Sequence, residues 1–255
     1  MRRAALALLA LPWLVACGDA TEPVSEELAD PGPRSAAGDL ALSFDGLDDY
    51  ASAGTARMPQ IERQQTLMLW VRPEGALGGA GDVEVLLTLR RSDWSGIVLG
   101  LEGLAPVAYN VHGPRDLARS ATPLVVGRWQ HVAYVLDADS SRLYVDGAEA
   151  ATGPRPSTNR TPLLAFIGSL DGYDGMFHGA LDELRVYDRA FSPTEIAAEA
   201  SGQRADAEPL VLYLPFDEAA GARSYDLSGL GNHAQLGDGV PELMPLRVAS
   251  GAPHQ

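Results

Sequence analysis

Lysine is absent from this 255-residue chain: all 19 basic residues are arginine, against 34 acidic ones, for a formal charge of −15. A surface so acidic repels phosphate backbones, which argues against nucleic acid as a partner. It leaves divalent cations, neutral sugars and basic partners open. Cysteine occurs once, at Cys17, so no intrachain disulfide can form. Aromatic residues make up only 7%. The longest apolar run, residues 4–15, is too short to span a bilayer and remain there. Neither a Ser-His-Asp order nor a histidine-rich metal cluster stands out. What remains is an ordinary globular composition, 46% hydrophobic and 21% charged, enough for one large β domain or two small ones.

The start of the chain is a targeting pattern. Met1-Arg2-Arg3 ahead of the apolar run gives residues 1–16 the shape of a signal peptide. Leu14-Val15-Ala16-Cys17 resembles the lipobox of bacterial lipoproteins, where small residues precede a cysteine that is diacylated and becomes the new N-terminus. The resemblance implies lipidation at Cys17 and an exported protein held in the bacterial cell envelope. Two or three acyl chains anchor stably, whereas one is marginal. Gly18, where an Asp commonly retains lipoproteins at the inner membrane, favours the outer membrane, on its periplasmic or surface face. Cleavage would remove Arg2 and Arg3, leaving the exported chain two units more negative. Residues 17–38 are acidic and Pro-rich and read as a disordered tether, with a reach on the order of 70 Å.

From Leu40 the signals are β. The stretch that organises the chain is W-Q-H-V-A-Y-V-L-D-A-D-S-S-R-L-Y-V-D-G, residues 129–147. Its two apolar runs flank a five-residue turn signal and predict a hairpin. Alternation puts Val132, Tyr134 and Leu136 on one face and Ala133, Val135, Leu143 and Val145 on the other. With both faces apolar, the hairpin is expected in the sheet interior. Leu40-Leu42-Phe44, residues 66–72, residues 83–89 (Val83, Val85, Leu87 and Leu89 on one face), 97–101, 107–111, 163–167 and 181–187 bring the count to about ten short strands. That spacing suggests a sandwich or barrel. Ser192-Pro193-Thr194-Glu195 carries an N-cap, a first-turn Pro and a capping-box Glu, so one short helix is predicted near residues 193–200, ending at Gly202. Residues 204–209 read as a linker, Leu210, Leu212, Leu214 and Phe216 as another strand, and 241–255 as a tail with little pattern.

Three stretches together resemble the laminin-G-like, concanavalin A-like lectin/glucanase jelly roll: A-L-S-F-D-G-L-D-D-Y (41–50), the W-Q-H-V-A…L-Y-V-D-G hairpin, and F-H-G-A-L-D-E-L-R-V-Y-D-R-A-F-S-P-T-E-I (177–196). The resemblance covers residues 39–202 and implies an all-β fold, a two-sheet antiparallel jelly-roll sandwich. A fourth stretch, L-Y-L-P-F-D-E-A-A-G-A-R-S-Y-D-L-S-G-L-G-N-H-A-Q-L (212–236), resembles the segment that usually opens this domain, yet follows the helix here. About forty residues cannot build a core alone. Residues 207–240 are therefore expected to complete the same sandwich as a circular permutation, the alternative being a truncated second repeat.

Glucanases on this fold carry acidic residues as E-x-D-x-x-E on one strand. This chain has only the adjacent pair Asp182-Glu183, whose side chains would point to opposite faces of a regular strand. The reading is therefore non-enzymatic. The fold's relatives commonly bind calcium, and acidic loops occur at Asp45, Asp48 and Asp49, at Asp171 and Asp174, and at Asp217, Asp226 and Asn232. Asp171-Gly-Tyr-Asp174 resembles the calcium loop of pentraxins; Asp182, Asp217, Asp226 and Asn232 would suit a structural ion near the joined termini. The same residues also make ordinary turns. Trp94, Tyr173 and Phe177 fall in loop-like contexts where aromatics could stack on sugars, with Arg91, His112 and Arg115 near in sequence. Trp70, Trp129 and His131 read as strand or core residues. Asn159-Arg160-Thr161 matches a glycosylation acceptor. The function expected is a non-catalytic, envelope-anchored module for a carbohydrate or protein ligand, with calcium as a candidate cofactor. The alternatives are a structural component of a surface complex and, last, a glycan hydrolase.

Overall fold

A computed structural model describes residues 38–54, 58, 64–78, 82–111, 117–156, 162–203 and 210–253. The signal segment, Cys17, most of the tether, His112, Arg115 and the Asn159-Arg160-Thr161 acceptor lie outside the described residues.

Sixteen strands and one α-helix occur among these residues, with two single-turn 3-10 helices before the last strand, in the chain order β1 (Leu40–Asp45), β2 (Ala51–Gly54), β3 (Gln65–Pro73), β4 (Val83–Arg90), β5 (Gly96–Glu102), β6 (Ala105–Asn110), β7 (Ala118–Arg119), β8 (Gln130–Leu136), β9 (Ser141–Val145), β10 (Ala148–Gly153), β11 (Leu164–Ile167), β12 (His178–Tyr187), α1 (Pro193–Ala200), β13 (Leu210–Leu214), β14 (Arg223–Ser224), β15 (Ala234–Leu236) and β16 (Leu246–Ala249). They form two antiparallel eight-stranded sheets. The first runs β10-β9-β8-β3-β12-β1-β16 with β13 also on β12; the second runs β14-β15-β2-β11-β4-β5-β6-β7. The sheets pack face to face as a jelly-roll sandwich over one core, where Leu42, Leu67, Leu69, Leu87, Leu99, Tyr134 and Leu181 interdigitate.

The β8–β9 hairpin lies one strand in from the β10 edge, and its turn has four residues, closed by the Asp137 N–H donating to Ser140 O at 2.9 Å. Val132 pairs with Val145 and Tyr134 with Leu143, so Leu143 and Val145 share the core face with Val132, Tyr134 and Leu136. The expectation that they sit with Ala133 and Val135 is corrected: across a hairpin, facing follows pair register. Ala133 and Val135 are buried nonetheless, because α1 covers the outward face there. Met68, Ala133, Val135, Tyr144, Tyr187, Phe191 and Ile196 form a second apolar cluster. Helix α1 starts as predicted. Ser192 caps it, its Oγ accepting from Glu195 N at 3.3 Å while Glu195 Oε2 accepts from Ser192 N at 2.8 Å.

Two bulges override simple alternation. On β12 the register shifts between Asp182 and Arg185, with Glu183 at φ 53°. Leu181 and Leu184 can therefore both enter the core, and Asp182 and Glu183 share the outward side instead of splitting across the sheet. On β4 the shift lies between Val85 and Leu87: Leu86, Leu87 and Leu89 are core, while Val85 faces away from it. The single-face reading of Val83, Val85, Leu87 and Leu89 fails at that point.

Residues 210–253 enter both sheets. β13 and β16 join the first and β14 and β15 the second. β13 pairs with residues 184–187 of β12 and β1 with residues 178–181. Since β3 holds the other edge of β12, β13 and β1 lie end to end in one lane. Asp217 Oδ1 accepts from Leu40 N at that junction, 3.0 Å. The stretch 241–255, expected to be a tail, contains β16, paired to β1, and a buried Ala252.

Candidate ligand-binding site

The β4 bulge turns the Val85 N–H out of the regular ladder, and Gly175 O accepts it at 2.8 Å. That bond fastens the loop of residues 168–177 against the second sheet. The loop is tied within itself by Leu170 N to Asp174 O, 2.8 Å, and Phe177 N to Gly168 O, 3.0 Å. Asp171 Oδ1 accepts from Tyr173 N at 2.9 Å and from Asp174 N at 3.1 Å, and Ser169 Oγ accepts from Gly172 N at 2.9 Å. Gly175 is obligatory here: its φ is +64°, and a Cβ would come within 2.7 Å of Val85 Cγ2. So many internal bonds leave Tyr173 presented on a fixed loop, 90% exposed.

Beside this loop lies a groove of about 450 Å³. Val83, Val85 and Tyr109 line it from the sheet, Leu170, Tyr173 and Asp174 from the loop, and Gly46, Leu77, Asp82 and Glu84 from the far wall. Gly46, at φ +78°, lets Leu77 approach; a Cβ there would meet Leu77 Cδ1 at 2.3 Å. Leu47 and Leu77 are exposed, by 75% and 49%.

The groove is acidic. No arginine or histidine lines it among the described residues, whereas Asp82, Glu84 and Asp174 do. Glu84 is buried, and its oxygens accept from Leu77 N (2.9 Å) and His178 N (3.0 Å). Burial nevertheless raises its pKa, against those two bonds. His178 also acts on Glu84 electrostatically, lowering its pKa; its imidazole lies 3.9 Å from Glu74, which Arg72 approaches at 3.5 Å.

The expected site residues scatter. Tyr173, Asp171 and Asp174 come together in the loop, although Asp171 spends one oxygen on its own turn. Phe177 is not a ligand platform: it is fully buried in the core, its ring 6.1 Å from Phe44. As the residue that closes the loop and leads into β12, it points inward. Trp94 is 36% exposed but lies off the groove, with Arg90 stacked on it at 4.2 Å. Trp70 is buried, while Trp129 is half-buried and donates to Ser250 O at 3.2 Å. His131 is buried edge-on to Trp70 at 5.4 Å, and desolvation, with Arg185 nearby, lowers its pKa to about 3.

The second calcium set does not assemble. Asp226 accepts from Tyr213 N and Ser228 N through Oδ1 and from Ser228 Oγ and Asn232 N through Oδ2, which occupies the lone pairs a cation would need. Asn232 Nδ2 donates to Val211 O, Asp217 holds Leu40, and Asp182 is fully buried against Ser250 and the Glu183 N–H. These are joints of the C-terminal segment, each donor satisfied locally. The one set of three acids whose ligand atoms lie within 4.8 Å of one another, among the described residues, is Asp45, Asp48 and Asp49. Its donors are all hard oxygens, as calcium requires. Desolvation, offset in part by the Asp45 N–H, and the neighbouring Asp45 and Asp48 push Asp49 up to about 6.

Sequence reasoning missed Tyr109, Asp82 and Glu84. Tyr109 sat in an alternating apolar run that reads as core, and nothing local signals the β4 bulge that opens the groove.

The family model described as the concanavalin A-like lectin/glucanases superfamily matches residues 44–197, and the chain belongs to that family. Among solved structures, a candidate carbohydrate-binding protein from Bacteroides ovatus aligns over 85% of this chain at 18% identity and TM-score 0.64. This chain spans 61% of that protein's length. A heptameric SAP-like pentraxin from Limulus polyphemus aligns over 82% of this chain and 98% of its own, at 14% identity and TM-score 0.54. Domain 4 of an extracellular arabinanase from Geobacillus stearothermophilus, solved with arabinotriose, aligns over 63% of this chain and 76% of its own, at 21% identity and TM-score 0.51. No curated protein matches the sequence. At these identities the structural likenesses concern the fold.

Proposed function

We propose that this protein is a non-catalytic, lectin-like module that binds carbohydrate in the groove beneath Tyr173 and is anchored through Cys17 at the bacterial outer membrane. The observation that carries the reading is Tyr173 itself: an aromatic ring 90% exposed, on a loop fixed by internal hydrogen bonds, at the lip of a groove of sugar-accepting size. Apolar stacking on ring faces with carboxylates accepting hydroxyl hydrogens is how such sites hold sugars. The carbohydrate-binding neighbours of the same fold are consistent with this. Glu84, the buried carboxyl of the groove, already holds two backbone N–H groups, an anchoring role that argues against its use as a general acid. In this reading calcium, if required, acts through Asp45, Asp48 and Asp49, which adjoin the groove at Gly46. The exposed Leu47 and Leu77 favour a protein partner as the second reading.

The test is a glycan panel on the full chain, with calcium and with a chelator. Tyr173→Ala should cost about 2 kcal/mol of binding, roughly thirtyfold, with the fold intact. Trp94→Ala should leave affinity unchanged. Binding that survives Tyr173→Ala but not Trp94→Ala moves the site to the other end of the sheet; no glycan bound in either condition turns the reading to a protein partner.

A further inference from the structure

Two open sheets have four edges, and three of them are shielded. β7 and β10 pack against each other, so closely at Gly153 that a Cβ would fall on Leu117 O. β10 also carries a register shift between Glu149 and Ala151, a device that discourages further pairing. β14 is two residues long, and Arg247 Nη2 donates to its Arg223 O at 2.9 Å. Even the free flank of β13 is covered, by Leu227 N donating to Tyr213 O and Asn232 Nδ2 to Val211 O. β16 is different. It ends the first sheet, pairs with β1 through all four residues without a bulge, and makes no main-chain bond outside that ladder among the described residues. The ladder fixes which groups are free. Ser250 N donates to Asp39 O at 3.1 Å, one pair beyond Ala249 and Leu40. Antiparallel pairs alternate, so Val248 and Leu246 also turn their main chain to β1, while Arg247 and Ala249 turn theirs outward. Edges are ordinarily guarded by exposed charge or proline. Here Leu246 is 70% exposed, and the one charge, Arg247, is turned inward, donating to Phe216 O, Gly221 O, Arg223 O and Glu218. In a chain with 34 acidic residues, the stretch 243–255 has none, so this edge brings no acid of its own against a copy of itself.

We propose that β16 pairs with β16 of a second copy of this chain, antiparallel about a two-fold axis through Val248, joining the two first sheets into one continuous sheet. In that register the outward N–H and C=O of Arg247 meet those of the partner's Ala249, and the reverse pair forms by symmetry. Val248 meets the partner's Val248 at a non-hydrogen-bonded position, where β-branched side chains approach closest. An axis through Arg247 instead would set Ala249 against the partner's Pro245, which has no N–H to give. The two-fold contact uses up the open edge, so assembly stops at the dimer. Pairing also puts two Tyr173 loops on one assembly, the arrangement by which weak sites gain avidity on a repeating ligand.

The experiment is sedimentation of the full chain in detergent across the micromolar to millimolar range, where a reversible dimer is expected. Ala249→Pro removes an N–H that the single copy does not use. It should raise the dissociation constant about tenfold or more, because the two-fold axis deletes two bonds at once, and leave the melting temperature nearly unchanged. Val248→Cys should give a disulfide-linked dimer under mild oxidation, above the level of the parent chain, whose one cysteine is Cys17. Ala148→Cys, on the shielded β10, should not. If Ala249→Pro unfolds the chain, the two cysteine variants decide alone. A chain that stays monomeric throughout the range overturns the proposal. So does a dimer indifferent to Ala249→Pro, an assembly larger than two, or Ala148→Cys linked as readily as Val248→Cys.

Discussion

The outward faces of the two sheets are opposites. On the first, the chain covers itself. Arg185 is buried between Glu199 of α1, 2.9 Å away, and Glu183, whose carboxylate also accepts from the Tyr213 hydroxyl at 2.8 Å. Arg185 thus meets two carboxylates inside the protein, and Asp182 is held by Ser250 and the Glu183 N–H. On the second sheet, the β4 bulge and the 168–177 loop leave a groove whose acids face no lining cation among the described residues. A face that the chain closes over itself reads as structure, whereas an open groove beside an exposed aromatic reads as recognition. Both faces are built on a strand with a bulge, so the difference lies in what the following chain does: after β12 it returns as a helix, and before β12 it makes a loop.

That contrast can be broken by removing the buried cation. Arg185→Met leaves Glu183 and Glu199 buried without a counter-charge and should cost about 3–5 kcal/mol in denaturant unfolding. A loss below about 1 kcal/mol would mean the closed face is held by packing alone. A milder attack is on the lid: Ser192→Ala removes the cap of α1 and should cost about 1 kcal/mol, with no change in groove binding. Coupling between that mutation and ligand affinity would show the two faces are not independent. The smallest effect concerns pH. Asp49 has a folded pKa of about 6, above its unfolded value, so its contribution is fully present below about pH 4 and is lost as pH rises to about 6. Asp49→Asn should flatten that part of the stability profile. An unchanged melting profile over this range would assign the slope to other groups.

Much of the closed face could be read from the sequence. Ser192, Pro193 and Glu195 mark the helix start because capping is local chemistry, and the apolar alternation at Ala133 and Val135 marked both faces of the hairpin as buried, although not that α1 is what covers them. The open face was less legible. Tyr173 could be picked out because Asp and Gly around it dictate a tight loop. Phe177, four residues on, looked equivalent and is core, since the turn that exposes one ring directs the other inward. Asp226 and Asn232 were indistinguishable from metal ligands until their hydrogen-bond donors could be counted. Bulges were the main blind spot: a single extra residue reverses every later facing, and at Val85 and Glu183 no residue type gave it away.

The lane shared by β13 and β1 bears on when this protein can fold. β1 is the first strand among the described residues, yet its start is fixed by Asp217, 177 positions later, and its outer neighbour β16 is the last of them. A chain emerging from a ribosome or a translocation channel therefore has β1 waiting beside an empty lane until β16, some two hundred positions later, arrives. Such long sequence separations slow folding. The sandwich closes only once residues 210–249 are present, and a chain interrupted before them keeps an open edge on β12.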